Sequence, residues 1–81
     1  MQATDAYKET ESISNSLAAA GLVEFASQIS SAVSEGSTGT EIYMILRWRL
    51  ANIIKDGALP TDIRGRALSL HKCLDDELTR L

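Results

Sequence analysis

Two side chains in this sequence are equipped for nucleophilic or metal chemistry, the single histidine His71 and the single cysteine Cys73, and a carboxylate run, Asp75-Asp76-Glu77, follows them. His71 and Cys73 stand two positions apart, so on a helix the imidazole and the thiol face different sides and form no catalytic dyad. One histidine and one thiol, with no paired acid in ligand geometry at i+3 or i+4, make a poor metal site. Consecutive carboxylates spread around a helix instead of converging on one point. No nucleophile elbow, zinc-protease helix or nucleotide-binding fingerprint occurs in the chain. The expectation is a non-enzyme, with no catalytic residue, no cofactor and no metal.

Arg64, Arg66 and Lys72 raise a second chemistry, because basic residues near a helix start contact bases in helix-turn-helix proteins. The acids Asp62, Asp75, Asp76 and Glu77 accompany them, and the chain carries a net charge of −3. DNA readers usually show a basic surplus, so a nucleic-acid partner is not expected. The stretch Gly36-Ser37-Thr38-Gly39-Thr40-Glu41 resembles an anion cradle in composition but lacks the lysine and spacing of a phosphate-binding loop. Thr38 with Glu41 has the spacing of a helix capping box, with Thr40 as a rival cap.

Those residues must be positioned by something, and the pattern points to helices. Gly21, Gly36 and Gly57 follow apolar-periodic segments, where a left-handed residue ends a helix. Pro60, the one proline, suits the first turn of a helix. These marks divide the chain into segments of roughly 4–20, 22–35, 39–56 and 60–80, with no strand-like alternation between them. The predicted fold is all-α: a single domain over residues 1–81, built as a compact antiparallel bundle of about four helices. Eighty-one residues lie near the lower limit for an unstapled core, and one cysteine precludes an internal disulfide.

The last segment has the clearest core stripe, Ile63, Ala67, Leu70, Leu74, Leu78 and Leu81, at about 100° per residue. The second repeats the logic with Leu22, Ala26, Ile29 and Val33, flanked by Phe25; its far side holds Glu24, Gln28, Ser31 and Glu35. In the first segment, Ala6, Tyr7, Thr10, Ile13, Leu17 and Ala20 form a weaker stripe of mostly small residues.

The third segment is apolar nearly all the way round. Ile42, Leu46, Leu50 and Ile53 share one side, with Tyr43, Ile45 and Ile54 at its margins. Met44, Trp48, Ala51 and Lys55 share the other, with Arg47 beside them. Such a helix is either central or in contact with something else. Trp48, the only tryptophan, therefore has two readings: it packs beneath the N-terminal helix or a long loop, or it anchors a partner together with Met44 and Arg47. A homodimer contact would use the same patch. Arg49 falls between Ile42 and Ile45, where an unpaired guanidinium is too costly, so it snorkels or pairs with a carboxylate such as Glu77, Glu11 or Glu24.

Charge divides unevenly. Residues 1–41 hold six acids (Asp5, Glu9, Glu11, Glu24, Glu35, Glu41) against one base, Lys8, whereas residues 42–81 hold seven bases and five acids. An acidic half is either solvated helix surface or a face for a basic partner. The sequence Met1-Gln2-Ala3-Thr4-Asp5 lacks the pattern of a signal peptide, and the apolar run Leu17 to Val23 is too short to cross a bilayer, so a cytoplasmic location without membrane contact is expected.

The segment Glu35-Gly36-Ser37-Thr38-Gly39-Thr40-Glu41-Ile42, followed by Leu46-Arg47, resembles small acidic helical bacterial proteins encoded beside secreted or contact-delivered toxins. The resemblance implies an immunity-type protein that occupies the surface of a toxin, and it carries over no family binding residue. Within that reading, Glu24, Glu35 and Glu41 contribute the acidic field toward a basic toxin domain, and Tyr43, Met44, Arg47 and Trp48 the contact residues. The alternative is a homodimeric adaptor or regulatory protein.

Overall fold

A computed structural model describes residues 3–80 as helices α1 (Ala3–Ala19), α2 (Val23–Ser30), α3 (Ala32–Glu35), α4 (Gly39–Ile54) and α5 (Thr61–Thr79). Only Ser31 separates α2 from α3, and its own φ of −70° and ψ of −20° are helical, so the pair is one broken rod. Four rods thus form an all-α bundle, with no strand among the described residues. The Cα radius of gyration, 11.6 Å, matches the roughly 11.7 Å expected of a compact chain this long.

Each turn has a local cause. Gly21 takes φ +84°, the N–H of Leu22 donates to Leu17 O at 2.8 Å, and the N–H of Gly21 donates to Ala18 O at 3.0 Å. That is the paired closure in which a left-handed glycine satisfies the last carbonyls of a helix. Gly36 does not repeat it. Its backbone is extended, at φ −83° and ψ 146°, and glycine is needed there for space: a Cβ would sit 2.7 Å from both the amide nitrogen and Cγ1 of Ile42. Gly57 is likewise outside the left-handed region, since Gly21 is the only described residue with positive φ.

Thr38 caps α4, its Oγ1 accepting from the Glu41 N–H at 3.1 Å, so the rival Thr40 lies inside the helix. Pro60 sits one position before α5 instead of within its first turn, its carbonyl accepting from the N–H of Arg64 at 2.8 Å. The Asp56 carboxylate accepts from the Ala58 N–H at 2.9 Å and shapes the turn between α4 and α5.

α1 packs on α2 and α5, and α4 packs on α5 and on the α2–α3 rod. Paired contacts at 47/75 and 64/54 show that α4 and α5 run antiparallel. The shared core holds Ile13, Leu17, Ile29, Leu46, Leu50, Ile53, Ile63, Leu70 and Leu74, with the small residues Ala6, Ala26, Ala32 and Ala67 where helices approach closely. The expected stripes hold along most of α1, α4 and α5, but Ala20 is exposed in the turn after α1 and Ile42 is only half-buried. In α5 the stripe weakens at Leu78, which is half-buried, while Leu81 lies outside the described residues. Beyond Ser31 the buried position is Ala32, fully buried, and not Val33, which is only half-buried. Leu59 also enters the core from the α4–α5 turn. Thr10 is the one buried polar residue described, and its hydroxyl donates back to Ala6 O at 2.8 Å.

Candidate functional site: the outer ridge of α4

The side of α4 opposite its core stripe is uncovered. Trp48 is 68% exposed and Met44 51%, so the indole does not pack beneath α1 or a loop. Amphipathic geometry leads here directly. Leu46, Leu50 and Ile53 point inward, which forces residues 44, 48 and 51 outward at helical spacing.

Two shallow concavities adjoin the ridge and share Trp48, Arg49 and Glu35. One, of about 610 Å³, is lined by Met44, Ala51 and Trp48 along the ridge, by Arg47 and His71 on one flank and by Ile45, Arg49 and Glu35 on the other. The other, of about 580 Å³, lies toward α2 and α3, where Ser27, Gln28, Ser31 and Asn52 complete its lining. The walls are fixed by ion pairs. Arg47 Nη1 donates to Asp75 Oδ1 at 2.8 Å, locking α4 to α5. Arg49 locks α4 to α3: Nη1 donates to Glu35 Oε2 at 2.8 Å and Nη2 to Glu35 Oε1 at 2.6 Å, a two-pronged pairing. Arg49 Nη1 also reaches Gln28 O and Ser31 Oγ, both at 2.9 Å. Hydrogen bonding from Arg49, then from Ser31, holds the Glu35 carboxyl below its ordinary pKa, and Glu35 in turn raises that of Arg49.

The expected partner residues divide accordingly. Met44 and Trp48 form the exposed apolar ridge, and Glu41 and Glu24 are exposed with no ion pair among the described residues. Glu35 is not a free element of an acidic surface, because it neutralises Arg49. Arg47 borders the ridge but is committed to Asp75. Tyr43 turns away: it is half-buried and meets Tyr7 edge-on, with ring centroids 6.2 Å apart and planes at 81°. Burial there, then the charges of Tyr7 and Glu77, raises the Tyr43 pKa.

One arginine expectation also changes. The partner of Arg49 is Glu35, not Glu77, Glu11 or Glu24, because that edge of α4 faces the α2–α3 rod where Gln28, Ser31 and Glu35 stand together. The line Gln28, Ser31 and Glu35, expected on the outer side of its segment, is the seam that receives the guanidinium. Arg64 and Arg66, weighed as base-contacting residues, serve the fold. Arg64 donates to the carbonyls of Ile54 at 3.0 Å and Asp56 at 2.6 Å, satisfying the C-terminus of α4. Arg66 ties α5 to α1 through Ser12 Oγ at 2.6 Å, Ser16 Oγ at 2.9 Å and Glu9 Oε1 at 3.3 Å.

His71 and Cys73 are half-buried, and His71 lines the first concavity beside the ridge. Among the described residues no group of three or more His, Cys, Asp or Glu side chains converges as metal ligands. No described helix is long and apolar enough to cross a membrane. Sequence reasoning missed the exposed apolar residues Val23 and Leu68. Each interrupts an otherwise polar helix face, and that interruption is the signal that was available. Comparison with protein-family profiles, curated proteins and solved structures finds no match to this chain.

Proposed function

We propose that this chain is a non-catalytic protein-binding domain whose docking surface is the outer ridge of α4. The observation that carries the reading is Trp48, the largest side chain of the protein, 68% exposed on α4 and lining two adjoining concavities. Tryptophan buries much area at little entropic cost, and residues of this kind dominate binding energy when a partner desolvates them. The bases flanking the ridge are already neutralised by Asp75 and Glu35, so a partner need not supply their counterions.

In its specific form the proposal is an immunity-type protein of the bacterial cytoplasm that occupies a toxin domain. The exposed acids Glu11, Glu24 and Glu41, none engaged by an ion pair among the described residues, support attraction of a basic partner.

The test joins Trp48→Ala with Met44→Ala. Both side chains are outside the core, so helicity and melting temperature should stay near wild type while binding weakens about 30-fold or more. Coexpression with a toxin encoded by an adjacent gene checks the specific form: growth is rescued by the wild-type chain and not by the double variant. A double variant that melts early yet still rescues growth would place the binding surface elsewhere.

A further inference from the structure

The outer line of α4 has an internal symmetry that selects its occupant. Glu41, Met44, Trp48, Ala51 and Lys55 succeed one another at intervals of three and four residues, so they form one stripe on the helix. Glu41 lies seven residues before Trp48 and Lys55 seven after it. The stripe therefore has a carboxylate at one end, an ammonium at the other and an indole at its midpoint, over a span of about 21 Å. Both end charges are exposed, and neither is engaged by an ion pair or hydrogen bond of its side chain among the described residues. The cations beside the stripe, Arg47 and Arg49, are cancelled by Asp75 and Glu35. The end charges thus set its polarity.

Resting on the reading of this ridge as a docking surface, we propose that its occupant is a second copy of the same chain, paired α4 to α4 in antiparallel orientation about a two-fold axis beside Trp48. Antiparallel pairing puts Glu41 of each protomer against Lys55 of its partner, satisfying both ends with two equivalent ion pairs. Parallel pairing would set Glu41 against Glu41 and Lys55 against Lys55. A two-fold interface uses one patch twice and must be self-complementary, which this stripe is. The indoles pack against each other beside the axis, and Met44 faces the small-residue half of the partner stripe around Ala51, which leaves room for its side chain. The contact covers one helix face, below the size of an obligate interface, so the dimer is weak and depends on concentration.

Sedimentation velocity from about 5 µM to about 1 mM tests it, alongside Trp48 emission, which shifts to the blue when the exposed indole is covered. The expected result is a monomer–dimer equilibrium in this range, with the blue shift following the dimer fraction. Trp48→Ala should weaken association about 30-fold or more. Glu41→Lys and Lys55→Glu each turn both ion pairs into repulsions and should weaken it about tenfold or more, while the double swap recreates the pairs with reversed sign and restores association to within about threefold of wild type. Circular dichroism of each variant verifies that the fold is intact. A wild-type chain still monomeric at 1 mM overturns the dimer, and a double swap no better than the single swaps overturns the antiparallel pairing. Either failure leaves the docking reading standing if Trp48→Ala still releases a different protein partner, and removes it if that substitution changes no binding at all.

Discussion

Arg49 reaches Gln28 O, Ser31 Oγ and both oxygens of Glu35, and so holds the broken α2–α3 rod against α4. Its side chain is only 19% exposed, which makes the pair more than a surface ornament, although Glu35 remains half in solvent and the Coulomb gain is screened accordingly. The linkage has a definite sign. The folded-state pKa of Glu35 lies below its ordinary value of 4.5, so its contribution to stability is present above that value and is lost as pH falls through the lowered one. Urea midpoints measured between neutral pH and the acid limb should fall with pH in the wild type. In Glu35→Gln the stability should be lower at neutral pH and the acid limb flatter. The position of Arg49 within a buried stripe was legible in the sequence, and so was its need either to snorkel or to find a carboxylate. Which carboxylate was not, because the choice depends on the helix that packs against that edge, and periodicity carries no information about neighbours.

At the scale of the element, two glycines with the same sequence context turn out to do different work. Both Gly21 and Gly36 follow an apolar-periodic segment, yet only Gly21 adopts the left-handed conformation. Gly36 is extended and presses on Ile42, a steric requirement that arises only once α3 and α4 are folded against each other. Gly36→Ala should therefore cost about 1–3 kcal/mol, the range for forcing extra volume into a packed site. Gly65 gives the contrast. It lies inside α5 with no atom near a built Cβ, so Gly65→Ala should stabilise by about 0.5–1 kcal/mol. Chemical denaturation of the two variants reads opposite signs from one type of substitution. The same limit explains the second segment: its apolar period predicted an unbroken helix, while beyond the interruption at Ser31 the buried residue is Ala32 and not Val33. Ser31 keeps helical dihedrals and its hydroxyl accepts from Arg49, a contact with α4 that the spacing of apolar residues does not encode.

At the scale of the molecule, the opposition of core and outer sides on α4 was readable from the spacing of Leu46, Leu50 and Ile53 against Met44 and Trp48. Whether another helix covers the outer side is a question of topology, and the packing of α5 on one flank and α2–α3 on the other leaves it open. The acidic half of the chain proved a poorer guide. Glu9 is drawn to Arg66 and Glu35 to Arg49, so part of that charge binds the two halves of the chain together instead of facing outward. The tie from Arg66 to α1 spans 50 to 57 residues of sequence, whereas the α4–α5 hairpin closes through contacts such as Arg64 to Ile54, ten residues apart. Short loops close at lower entropic cost, so we expect the hairpin to assemble early and the junction of α1 with α5 to form late. Arg66→Ala should consequently leave the refolding rate nearly unchanged and speed unfolding, by about fivefold for each kcal/mol of stability lost. In stopped-flow traces the arginine would act as a latch: absent while the chain finds its shape, and decisive for how long it keeps it.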